Sequence, residues 1–196
     1  MPKKRVAIFA SGSGSNLQAL LDAMKEPGFP AEPVLVFSNK ARAFALERGR
    51  MAGIRTIFIN PAAYDSREEY DLRLVELLRE VGADIVCLAG YMRILTPVLV
   101  RAYKGRILNI HPALLPKYGG EGMYGHHVHE AVLKAGEKES GASVHFVDEG
   151  VDSGAVLLQA SVPVASADTA ETLGERVLEQ EHKIYPQALR KLCETL

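Results

Sequence analysis

The chain is 196 residues long and 47% hydrophobic, enough to bury a sizeable core in one large domain or in two small lobes sharing a sheet. Its 23 Lys plus Arg nearly balance 24 Asp plus Glu, giving a formal charge of -1, so no net field draws it to nucleic acid and small molecules are the expected partners. Two cysteines, Cys87 and Cys193, exclude a disulfide framework; the apolar run after the basic start covers only residues 6–10, shorter than a signal-peptide core or a membrane span, so a cytoplasmic protein is expected.

In chain order, residues 6–10, 34–37, 56–59 and 85–89 read as buried strands, each apolar and too short for a helix. Between them Leu17, Leu20, Leu21 and Met24 form one helical stripe, and Tyr70, Leu74, Leu77, Leu78 and Val81 another. The second stripe opens with Ser66 and Glu69 at capping-box spacing and stops at Gly82. Strands separated by crossover helices predict an α/β, doubly wound, mostly parallel sheet, with ligands at the carboxyl ends of the strands. Residues 107–110 read as a fifth strand. Residues 112–125, with two Pro and four Gly, are a long loop. A helix over 128–133 and strands over 142–147 and 155–164 follow, and the chain closes with a helix that Asp168 and Glu171 are spaced to cap. No repeat or linker divides the chain, so residues 1–196 are expected to form a single domain.

Strand one runs directly into Gly12-Ser13-Gly14-Ser15-Asn16 and then a helix. That order makes an anion site: glycines let the backbone approach a phosphate, and free N–H groups with the helix dipole favour its charge. Leu17 stands where a dinucleotide fingerprint has its third glycine, and strand two ends at Ser38-Asn39 with no acid for a ribose hydroxyl, so a phosphomonoester fits better than a pyrophosphate. Asn109 and His111 flank Ile110 at the end of strand five and point the same way. An amide beside an imidazole is equipment for holding an oxyanion and moving a proton in acyl transfer. Asp148, Glu149 and Asp152 follow a later strand, and any of them could orient the histidine. His126 and His129 fall on one helix face, but nothing else completes a zinc site, and no metal is expected.

Three blocks carry a resemblance: Gly12-Ser13-Gly14-Ser15-Asn16-Leu17-Gln18-Ala19, Leu88-Ala89-Gly90-Tyr91-Met92-Arg93-Ile94-Leu95, and Leu108-Asn109-Ile110-His111-Pro112-Ala113-Leu114-Leu115-Pro116. With Ser143-Val144-His145-Phe146-Val147, Asp152-Ser153-Gly154 and Gln180-Glu181-His182, they resemble the phosphoribosylglycinamide formyltransferases of purine biosynthesis over essentially the whole chain. The resemblance implies a formyltransferase fold, with a Rossmann-like phosphate-binding half over 1–105 and a catalytic, folate-binding half over 106–196. It implies transfer of a formyl group from 10-formyltetrahydrofolate, a co-substrate, to glycinamide ribonucleotide, with no metal, nucleic acid or membrane involved and a homodimer possible.

Carried residue by residue, it implies catalysis by Asn109, His111 and Asp152, with His111 protonated. Gly12, Ser13, Gly14, Ser15, Asn16 and Glu181 would bind the ribonucleotide. Arg67, Met92, Arg93, Ile94, Leu95 and Asn109 would bind the folate. Glu181 has independent support, because it shares a helix face with Leu173, Val177 and Ile184, where a carboxylate needs a reason. The 117–129 stretch resembles a longer variant of the corresponding family loop. Two other readings stand beside this one: a formyltetrahydrofolate hydrolase, whose family carries an extra domain ahead of its first strand, and a non-catalytic nucleotide-binding module that leaves Asn109, His111, Asp152 and Glu181 unexplained. A tRNA formyltransferase would need a further domain for which these residues leave no room.

Overall fold

The computed structural model describes residues 2–196. Among them seven strands form one sheet: β1 (Lys4–Phe9), β2 (Ala31–Ser38), β3 (Thr56–Phe58), β4 (Ile85–Leu88), β5 (Ile107–His111), β6 (Glu139–Phe146) and β7 (Val156–Pro163). The order is β3-β2-β1-β4-β5-β6-β7. The first five strands pair in parallel, and β6 and β7 are added antiparallel. This is the doubly wound α/β sheet the alternating pattern predicts. The order reverses at β1, with β2 and β3 to one side and β4 and β5 to the other, so the carboxyl ends of β1 and β4 frame a switch-point crevice.

Among the described residues six α-helices cover the sheet: α1 (Ser15–Met24), α2 (Phe44–Met51), α3 (Arg67–Glu80), α4 (Pro97–Ala102), α5 (His126–Lys134) and α6 (Ala170–Thr195). Strand β1 shows why both faces need cover. Val6 and Ile8 join one core with Leu17, Leu20 and Leu21 of α1 and Val177, Tyr185 and Leu189 of α6. Ala7 and Phe9 join the opposite core with Tyr70, Leu74, Leu77 and Leu78 of α3 and Leu99 of α4. A strand buried on both faces loses its polar alternation and becomes a continuous apolar run, which is the signal the sequence carries.

Three details differ from the sequence expectation. Helices α2 and α4 are additional; each buries only two side chains, too few to display a 3.6-residue period. The box at α3 is half made: Ser66 accepts from the Glu69 N–H at 3.0 Å, but the Glu69 carboxylate reaches back to the Asp65 N–H instead. The cap of α6 is a reciprocal Thr169–Thr172 pair rather than Asp168–Glu171, because Asp168 is engaged by Arg176 at 2.7 Å and by the Ala165 N–H.

Candidate active site

The glycine loop begins where β1 ends. Gly14 caps α1 with φ +74°, a left-handed conformation suited to glycine, and no side chain caps the helix. The first-turn N–H groups of α1 therefore face outward without a protein partner at the cap, with no acidic residue in that turn to oppose an anion. Gly12 and Ser13 are exposed and Gly14 is buried. An added Cβ on Gly14 would meet Ala45 of α2 at 2.9 Å, whereas one on Gly12 would meet nothing within 4 Å. Open space over Gly12 is where a ligand could approach the backbone; Gly14 is small because α2 packs against it.

Asn16 and Glu181, from opposite ends of the chain, meet beside this loop. The Asn16 amide donates to Glu181 at 2.5 Å, and the Asn16 carbonyl oxygen is buried with no partner. Glu181 is 8% exposed, and burial pushes its carboxyl pKa up against the lowering effect of the Asn16 bond. Acceptors left waiting in a buried place suit a ligand carrying N–H or O–H groups.

At the carboxyl end of β5, Asn109, His111 and Asp152 converge. Asp152 Oδ2 lies 3.5 Å from His111 Nδ1, and its Oδ1 lies 3.5 Å from the Asn109 amide nitrogen. The other two loop acids point elsewhere: Asp148 turns to Ser153 and the Gly150 N–H, and Glu149 pairs with Arg101. Asp152 holds φ +53°, and its Oδ2 also accepts from the Gly120 N–H at 3.1 Å. A fourth residue, His145, completes the cluster: its Nε2 is 3.1 Å from the Asn109 amide, and its Nδ1 donates to the Phe146 carbonyl. Sequence spacing did not single it out. The antiparallel register sets Asn109 opposite His145, and only a known strand pairing makes that visible.

Burial tends to raise the Asp152 pKa, but the His145 hydrogen bond, the His111 charge and the Gly120 N–H bring the net shift below the ordinary value. His111 is 4% exposed, and burial lowers its pKa although Asp152 pulls the other way. The two groups thus pull on one another: the carboxylate favours the imidazolium, and burial opposes it. His111 Nε2 donates to the Tyr118 carbonyl at 2.7 Å, and Nδ1 can donate to Asp152 across the longer contact only when the ring carries its second proton.

The expected folate residues divide. Met92 and Ile94 are 47% and 45% exposed, an apolar surface at the crevice. Leu95 is buried in the α3 core, and the Arg93 guanidinium stacks 5.2 Å over the Tyr70 ring, so these two side chains face inward. Arg67 donates to the Ile94 carbonyl at 2.7 Å, tying α3 to the exposed segment. His126 and His129 separate: His126 faces Glu130, while His129 is buried against Gly174 of α6. Among the described residues no three His, Cys, Asp or Glu side chains gather as metal ligands.

The formyl transferase family profile matches residues 4–189. This chain belongs to that family. The formyl transferase chain is 49% identical to the phosphoribosylglycinamide formyltransferase of Escherichia coli (strain K12), over 92% of its own length and 83% of that protein. It is also 49% identical to the trifunctional purine biosynthetic protein adenosine-3 of Drosophila pseudoobscura pseudoobscura, of which it spans 14% of the length while 98% of the chain is covered. Among solved structures, phosphoribosylglycinamide formyltransferase from Brucella melitensis superposes with a TM-score of 0.91 at 48% identity, covering 97% of this chain and 96% of that one. Glycinamide ribonucleotide transformylase 1 from Symbiobacterium toebii gives 0.94 at 45% identity, covering 98% and 89%. Among the described residues no helix is long and apolar enough to cross a membrane.

Proposed function

We propose that this formyl transferase moves the formyl group of 10-formyltetrahydrofolate to the primary amine of glycinamide ribonucleotide, a step of purine biosynthesis in the cytoplasm. The observation that carries the reading is the convergence of Asn109, His111 and Asp152 at a strand end across the switch point from an uncapped glycine loop. One region is equipped for acyl chemistry and the other for a phosphate. Residues 1–196 act as one formyltransferase domain, with the loop in the 1–105 half and the cluster in the 106–196 half.

The reaction follows from these groups. The neutral amine attacks the formyl carbon, forming a C–N bond and a tetrahedral oxyanion. The Asn109 amide and His111 Nε2–H donate to that oxygen, an electrostatic contribution that grows as charge develops. Collapse breaks the bond to the folate nitrogen, and the proton lost by the amine passes, through Asp152 and water, to that leaving nitrogen. Asp152 stays ionised because Gly120 and the two histidines stabilise its charge. His111 Nε2 rests on the Tyr118 carbonyl, so that carbonyl must yield before the oxyanion is served. The first turn of α1 holds the phosphate; Glu181 and the orphaned Asn16 carbonyl accept from the rest of the ribonucleotide. Met92 and Ile94 give the folate its apolar contact, and Arg67 lies on the side of its acidic tail.

The test is to mix the protein with glycinamide ribonucleotide and a 10-formyl folate analogue and follow the deformylated folate by absorbance. Product formation that depends on both substrates is expected; no turnover at any ribonucleotide concentration contradicts the reading.

A further inference from the structure

One buried residue ties the glycine loop to the exposed Met92 segment. Ser11 lies between β1 and Gly12 and is 4% exposed. Its N–H donates to the Gly90 carbonyl at 3.0 Å. Its Oγ accepts from the Met92 N–H at 2.9 Å and donates to Asn39 Oδ1 at 2.6 Å. A hydroxyl has a single proton, so giving it to Asn39 leaves only lone pairs for Met92 and fixes which way the hydroxyl works. Asn39 follows β2, where a dinucleotide-binding fold would place an acid for a ribose; here its amide oxygen is spent inward on Ser11.

We propose that Ser11, oriented by Asn39, is a positioning residue that sets the Met92 end of the folate wall against the glycine loop and so determines affinity for the formyl folate. The inference rests on the reading that Met92 and Ile94 face folate. The wall has two further anchors, Arg67 on the Ile94 carbonyl at 2.7 Å and the buried Asp71 carboxylate accepting from the Thr96 N–H at 2.6 Å. Both lie beyond Met92, so loss of the Ser11 hydroxyl frees that end alone. Met92 then has an N–H without an acceptor and a side chain without a fixed backbone, and a wall that must be ordered on binding loses affinity.

The experiment compares Ser11→Ala, Asn39→Leu and Asn39→Asp, measuring steady-state constants for both substrates and equilibrium binding of a non-reacting folate analogue. Ser11→Ala and Asn39→Leu are expected to weaken folate binding and raise its KM about tenfold, the loss of one buried hydrogen bond. Their kcat and ribonucleotide KM should stay within twofold. Asn39→Asp keeps an acceptor for the hydroxyl and should bind folate as the wild type does. If Ser11→Ala fails to fold, the Asn39 pair decides the matter. Equal rises in both KM values, lowered Tm with unchanged folate binding, or Asn39→Asp as poor as Asn39→Leu would overturn the proposal. A wild-type protein that binds the analogue but transfers nothing refutes the reaction and leaves Ser11 to be judged by binding; one that binds no analogue overturns both.

Discussion

His111 stands between two oxygen acceptors, the Tyr118 carbonyl at 2.7 Å and Asp152 at 3.5 Å, and shares Asp152 with Asn109. One carboxylate orienting both donors makes the three side chains a unit. Asn109→Ala, His111→Ala and Asp152→Ala are each expected to lower kcat by roughly 10² to 10⁴, and the double variants to lose little more than the worse single. Losses that multiply independently, or near-wild-type kcat in any two, would contradict a shared site. Glu181 gives a second prediction with opposite signs for stability and function. Burial raises its folded pKa, so its contribution to stability is fully present below the ordinary carboxylate value and is lost as pH rises through the raised value. Glu181→Gln removes that cost. Its Tm should exceed the wild type's by about 2–4 °C at pH 8, with the gap closing below about pH 4, while the ribonucleotide KM rises several-fold. A lower Tm at pH 8 would show that the carboxylate is stabilising. Strand alternation puts Asn109 and His111 on one side, and the helix stripe makes Glu181 conspicuous, but the roles of all three come from the family resemblance. Asp152 needs the family resemblance or the fold to separate it from two neighbouring acids, and His145 needs the β5–β6 register, because strand pairing is not encoded at a fixed spacing.

Among the elements, the glycine loop and α1 read correctly because a strand, two glycines and an apolar stripe occur in succession. The role of each glycine does not show in the sequence, since it depends on what packs behind. Gly14 has a positive φ and Ala45 at its back, so Gly14→Ala should lower Tm as well as raise the ribonucleotide KM. Gly12→Ala meets open space, so it should raise the KM for the ribonucleotide with Tm within about 1 °C, if a phosphate approaches the backbone there. Thermal melts beside kinetics separate the two. An unchanged KM in Gly12→Ala would move the phosphate elsewhere. Helix α4 escapes a sequence reading for a related reason: it has only six residues, begins on Pro97 and depends on tertiary contact more than on its own pattern.

At the scale of the whole molecule, a single sheet presents both regions at its carboxyl edge. The glycine loop leaves β1, the Met92 segment follows β4, and Asn109 and His111 end β5, on three adjacent strands. Holding an amine beside a formyl carbon can supply roughly 7 to 11 kcal/mol in favourable systems by removing the entropy of encounter. Water needs neither a phosphate loop nor a buried carboxylate at Glu181, so an enzyme built as a hydrolase would gain nothing from these parts. The measurement that bears most directly on this account compares, with one enzyme and one formyl folate, formate release in the absence of acceptor and formyl transfer at saturating glycinamide ribonucleotide. Transfer is expected to be faster by at least about a hundredfold, a small part of what proximity can provide; equal rates, or no stimulation by the ribonucleotide, would contradict a transferase.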